Sequence, residues 1–215
     1  MTTDLQFVQT TSRSHVTVGP SRHDIAAVED FVAACQRNDA EALWAAVVSL
    51  NQGSIDGWTL AMCRIADEVD KVSPAIQELF LVVWIAMTWL PLCVRDDATL
   101  SVALRVLLPP YDGPAVTLFR GTTVGEWETR AFGFSWTTAL GTAIRFADEH
   151  ERRGAPGCVL HTLASPDAVI CASSAMIGAS VEGENEFVID PFRLGAVSRI
   201  QTASAPKNEG QRDAR

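Results

Sequence analysis

The chain has 215 residues, 47% hydrophobic and 20% charged, which is globular and sufficient for one domain, or for one domain with a helical extension. Its formal net charge of -9 and sequence pI of about 4.9 argue against a nucleic-acid-coating protein, whose binding face is rich in Lys and Arg. A polyanionic ligand needs local cations to overcome that field.

The first twenty residues contain no basic start followed by an apolar core, so no signal peptide is visible and a cytoplasmic location is expected. Residues 1–20 read as a loose arm with a short strand at Phe7-Val8. Helices follow over residues 21–110. Ser21 and Asp24 form an S-x-x-D cap ahead of Ile25, Val28, Val32 and Cys35, spaced 3 and 4 apart. Asn38 and Glu41 form an N-x-x-E start for a helix through Leu50, and Ser54 opens a third helix. Ser73-Pro74 begins an apolar fourth, and Asp96 or Asp97 caps a fifth through Leu107. The uncharged run Leu79 to Val94 is 16 residues long and interrupted by Pro91, short of the ~20 that span a membrane. A buried helix is expected instead, and no membrane partner. Trp44, Trp58, Trp84 and Trp89 stand at helical spacing among aliphatics and are expected in the core.

Five cysteines, Cys35, Cys63, Cys93, Cys158 and Cys171, lie in apolar surroundings without a C-x-x-C, as buried free thiols do. His15, His23, His150 and His161 have no metal-ligand spacing. They are expected as surface or satisfied polar groups, and no metal is expected.

After Pro110 the period changes. Short β-type runs appear at Val116–Arg120, Phe132–Thr137, Cys158–Leu163, Val169–Cys171, Glu186–Ile189 and Val197–Ile200. One helix interrupts them, from Ala139 to about Arg152, with Leu140, Ala143, Ile144 and Ala147 on one face. The polar tail over residues 204–215 is expected to be disordered. Helices first and strands later give an α+β fold.

Three polar groups interrupt the strands. Arg120 closes the first and Gly121 follows, placing a planar fork beside an unobstructed backbone N–H and C=O. That suits a phosphate and an amide lying side by side; the plainer reading is a surface arginine. Ser135-Trp136-Thr137 sets two hydroxyls on one strand face with a tryptophan opposite. Such hydroxyls suit a ribose, and equally ordinary β-propensity with helix capping by Thr137 or Thr138. Finally, Glu182, Glu184 and Glu186 alternate ahead of Phe187-Val188-Ile189, so in a strand the carboxylates share one side. Their repulsion is offset by solvent, by a cationic partner or by use in a site.

In this order the three groups resemble the ADP-ribosyltransferases of the Arg–Ser–Glu class, the cholera-toxin and clostridial-toxin-like branch. There an arginine closes the first strand, a Ser-Thr-Ser-type motif follows, and a Glu-x-Glu or Gln-x-Glu motif ends the set. The resemblance covers about residues 113–203, and the preceding helices resemble the helical segment many members carry. It implies a split β-sheet NAD-binding domain over residues 111–203, with NAD as substrate, no metal and a protein acceptor. Arg120 would hold NAD phosphate or ribose, aided by Arg130 or Arg145, and Gly121 would present its backbone to the nicotinamide carboxamide. Ser135, in a motif closed by Thr137, would support the nicotinamide ribose and the catalytic glutamate. Glu186 would be that glutamate and Glu184 would face the acceptor, an arginine in members with Glu at this place. The sequence departs from the pattern at Trp136 and Thr137 within the motif, and at Gly133, where the family often has an aromatic. Glu182-x-Glu184 is a second frame; Glu186 is preferred because it directly precedes the apolar run. The poly-ADP-ribose branch has His in place of Arg120. Two other functions fit the same residues: an NAD glycohydrolase with water as acceptor, and a non-catalytic module that uses the helices as an interface.

Overall fold

The computed structural model describes residues 19–94, 96–172 and 186–200. Phe7-Val8, Glu182, Glu184 and the tail from Ser204 lie outside them.

Helix α1 (Arg22–Arg37) starts where the cap predicts. The Ser21 hydroxyl accepts from the Asp24 N–H at 3.1 Å, and the Asp24 carboxylate accepts from the Ser21 N–H at 2.8 Å. Asn38 does not open the next helix. It closes α1 in the left-handed conformation at φ 55°, which a short amide side chain tolerates, and Asp39 caps α2 (Ala40–Gln52) instead. Ser54 precedes α3 (Ile55–Glu68), Pro74 opens α4 (Pro74–Ala86), and Asp96 caps α6 (Asp97–Leu107). The apolar run is cut at Met87 and resumes as the four-residue α5 (Leu90–Cys93). Among the described residues no helix is long and apolar enough to cross a membrane.

Asp24 does more than cap. It is 1% exposed and also accepts from the Ser54 N–H at 2.8 Å and the Ser54 hydroxyl at 2.9 Å, tying the start of α3 to the start of α1. Burial alone would raise its pKa, but the bonds from Ser54 and Ser21 outweigh it and lower the value to about 2. A folded-state pKa below the unfolded one stabilises the protein above the unfolded value, near 3.9, and that contribution disappears as pH falls through about 2. The difference corresponds to about 2 kcal/mol. Asp24→Ala is therefore expected to lower stability by about 2–3 kcal/mol at pH 7, since it also removes the acceptor shared by the Ser21 N–H, the Ser54 N–H and the Ser54 hydroxyl. In denaturant melts its deficit against the wild type should shrink between pH 4 and pH 2; a deficit independent of pH would reject the carboxylate's role.

Phe31 on α1 packs edge-on against Trp58 on α3 and Phe80 on α4, with ring centroids 5.8 and 6.2 Å away. Trp58 and Trp84 are buried and Trp89 is partly so, but Trp44 is 42% exposed, contrary to the expectation that all four are core. All five cysteines are free; four are buried and Cys63 is half-buried. Burial pushes the Cys35 and Cys171 thiols up to about 12, so neither is a nucleophile at neutral pH.

Among the described residues six strands follow: β1 (Val116–Thr123), β2 (Ser135–Thr137), β3 (Gly157–Ala164), β4 (Val169–Ala172), β5 (Glu186–Ile189) and β6 (Val197–Ile200). Between them the described residues include the α-helices α7 (Val124–Thr129), which the sequence does not announce, and α8 (Leu140–Arg152), and a 3-10 turn over Pro191–Arg193. The strand order is β4-β5-β2-β1-β3-β6 and every pair is antiparallel. The second strand is shorter than its β-type run, beginning at Ser135 rather than Phe132. Between β1 and β2 the only paired position is Phe119↔Thr137, whereas β1 and β3 pair from Val116↔Ala164 to Thr123↔Gly157. The sheet therefore consists of two three-stranded halves joined at one bridge.

One face of this sheet carries Leu118, Trp136, Leu160, Phe187 and Ile189 in a shared core. The opposite face is covered by two different layers. Val188 and Cys171 extend the core of the N-terminal helices, while Val159 and Phe119 pack under Ala143 and Ala147 of α8. Leu140 and Ile144, expected on that inner face, are 40% and 36% exposed. Small residues take their place because the helix backbone lies directly on the sheet: a Cβ on Gly121 would come within 2.0 Å of the Ala143 carbonyl oxygen.

Candidate functional site

Between the two layers, above the split in the sheet, lies a cavity of about 310 Å³. Its floor is Phe119, Gly121, Ser135, Thr137 and Glu186; α8 contributes Thr142, Phe146 and His150, and the end of α4 contributes Ile85, with Thr88 just beyond it. Strand register explains the floor. Thr137 is opposite Glu186 on β5 and opposite Phe119 on β1, and directly opposed residues share a face with Cα atoms about 4.5–5.5 Å apart. Ser135 and Thr137 thus face the cavity, while the Trp136 side chain packs in the core of the other face, as the alternating pattern predicts.

Glu186 is the first residue of β5, and Phe187 and Ile189 point to the opposite face. Its Oε1 accepts a hydrogen bond from Trp84 Nε1 at 3.3 Å. A smaller cavity, about 50 Å³, adjoins on the helical side and is bordered by Trp84, Thr88, Ser135 and Glu186 among others. Ser135 and Glu186 therefore belong to both spaces.

Arg120 reaches the site by another route. Alternation along β1 starts its side chain on the Leu118 face, away from Phe119 and Gly121. Because β1 and β2 pair at only one position, the guanidinium can enter the gap between them. There Nη1 donates to the Ser135 carbonyl oxygen at 2.8 Å, and Nη2 faces the Glu126 carboxylate at 3.4 Å. Glu126 also accepts from the Thr122 hydroxyl. The Arg120 side chain is 21% exposed, and its buried Nε has no hydrogen-bond partner among the described residues. Burial pushes the guanidinium below its ordinary pKa, and Glu126 and then Glu186 pull it back; a guanidinium remains charged at neutral pH. A Cβ at Gly133 would lie 2.5 Å from Arg120 Nη2, so a side chain there requires the tip of Arg120 to move. An aromatic side chain at that position would displace the fork.

Arg120, Gly121, Ser135, Thr137 and Glu186 all border the cavity. Glu184 lies outside the described residues. Arg145 stacks over the Phe146 ring at 5.7 Å, beside the cavity, whereas Arg130 stacks over Phe132, on the core of the other face. Sequence reasoning did not identify the upper walls. Thr142, Phe146 and His150 are spaced four apart, so one stripe of α8 was available as a signal. Ile85, Thr88 and Trp84 carried none, since only tertiary packing brings α4 over β5. Comparison with known proteins found no matching family model, no matching curated protein and no matching solved structure.

Proposed function

We propose that the chain is an NAD-dependent mono-ADP-ribosyltransferase that moves ADP-ribose to a protein side chain, arginine foremost, and releases nicotinamide. One observation carries the reading: Arg120, Ser135 and Glu186, distant in sequence, border a single cavity over the split in the sheet. A volume of about 310 Å³ lies within the range of small-ligand sites, roughly 300–1,000 Å³. The cavity is partly apolar through Phe119, Phe146 and Ile85, and the polar groups of Arg120, Ser135, Thr137 and Glu186 converge on it.

Breaking the nicotinamide–ribose bond develops oxocarbenium-like positive charge on the sugar, as in glycoside hydrolysis. A carboxylate fixed beside that carbon stabilises the charge as it forms and needs no reorganisation at the moment of reaction. Glu186 supplies the carboxylate. Ser135 and Thr137 supply neighbouring hydroxyls for the ribose. Arg120 borders the cavity and supplies the cation that a dianionic substrate requires near an acidic protein. Hydrolysis is the second reading. It is favoured by the cavity of about 50 Å³ beside Glu186, which has room for water and polar partners in Thr88, Ser135 and Glu186.

Incubating the purified protein with NAD labelled in the ADP-ribose moiety, with and without a cell lysate, tests both. Label appearing on lysate protein together with free nicotinamide supports transfer. Nicotinamide release at the same rate without lysate, and no labelled protein, supports hydrolysis. If the wild type does neither and Glu186→Gln changes nothing, the chain is a binding module.

A further inference from the structure

We propose that Trp84 of α4 is a positioning residue for Glu186, so that the N-terminal helices form part of the reacting site; this rests on the reading of Glu186 as the catalytic carboxylate. Trp84 Nε1 donates to Glu186 Oε1 at 3.3 Å across 102 positions of sequence. An indole N–H is a donor only, so it can neither take a proton from the carboxylate nor act as a base. What it can do is fix one carboxylate oxygen, and with it the direction of the other.

The indole is itself held. Trp84 is 4% exposed, and its ring meets Phe134 edge-on, with centroids 6.2 Å apart and planes at 75°. Phe134 immediately precedes β2, and its carbonyl accepts from the Ile189 N–H at 2.8 Å, on the strand that carries Glu186. Donor and acceptor are therefore locked to each other through a second path, the condition under which a hydrogen bond fixes a rotamer rather than following it. The contact also sits at a boundary. Trp84 walls the smaller cavity, and Glu186 borders both spaces, together with Ile85, Thr88 and Ser135. Electrostatic stabilisation depends on a group being in place before charge develops. Glu186 opens β5 and pairs with Thr137, and the Trp84 bond reaches its carboxylate from outside the sheet.

Trp84→Phe removes the N–H and keeps most of the ring. In nicotinamide release from NAD, kcat is expected to fall about 10-fold while KM stays within about two-fold. A purely structural tryptophan would lower the melting temperature and leave kcat per folded molecule unchanged, and that result overturns the proposal. The chain contains six tryptophans, so the ¹H–¹⁵N spectrum offers six indole signals, and the one lost in Trp84→Phe belongs to Trp84. Glu186→Gln should shift that signal upfield as a charged acceptor becomes neutral; an unmoved signal also overturns the proposal, and decides the matter if Trp84→Phe fails to fold. A wild type that releases no nicotinamide overturns the reading of the site and this inference with it. A wild type that does, beside a Trp84→Phe variant of equal kcat, overturns this inference alone.

Discussion

Glu186→Gln is expected to lower the rate of nicotinamide release by about 100- to 1,000-fold, the loss typical when one preorganised electrostatic group is removed from a transition state. The substitution keeps the shape and leaves an oxygen able to accept from Trp84 Nε1, so packing under α4 should survive. NAD affinity should remain within a few-fold, because the missing charge acts mainly on the cation that develops as the bond breaks. Steady-state kinetics with isothermal calorimetry separates the two: a fall in affinity that accounts for the whole loss would make Glu186 a binding residue. Glu184→Gln should behave differently, losing transfer to protein while retaining NAD hydrolysis. The opposite ranking would move catalysis to the earlier frame of the acidic run.

Arg120→Ala should weaken NAD binding by about 10- to 100-fold, from the loss of a charge-assisted contact worth roughly 1.5–3 kcal/mol. The structure adds a second cost. Arg120 bridges the gap in the sheet by donating to the Ser135 carbonyl oxygen, and it is the partner of Glu126. Removing it leaves both without that donor and should lower stability by about 1–3 kcal/mol. Arg120→Lys separates these effects, because an ammonium keeps the charge but cannot reproduce the fork. Calorimetry below the melting temperature of each variant reads binding alone. Wild-type affinity in Arg120→Ala would reject the phosphate role and leave Arg120 as a strut between β1 and β2.

The local grammar of the chain lay open in its sequence. Helix starts at Ser21 and Pro74, the strands at Glu186–Ile189 and Val197–Ile200, and the opposed faces of Ser135, Trp136 and Thr137 follow from capping chemistry and a period of two, which act over a few residues. Where two local signals competed, the choice needed geometry. Asn38 can start a helix or close one, and the left-handed turn after α1 settled it. Leu140 and Ile144 are more apolar than Ala143 and Ala147, yet the alanines face the sheet, because Gly121 on β1 lets the helix backbone descend further than a large side chain permits. The site divides in the same way. Residue types and their order marked Arg120, Ser135 and Glu186, but no pattern along the chain could show that Arg120 leaves its own strand face through a gap in the sheet, or that Trp84 stands against Glu186. Both depend on contacts between distant segments, and such contacts are fixed by how whole layers pack, which no window of sequence contains.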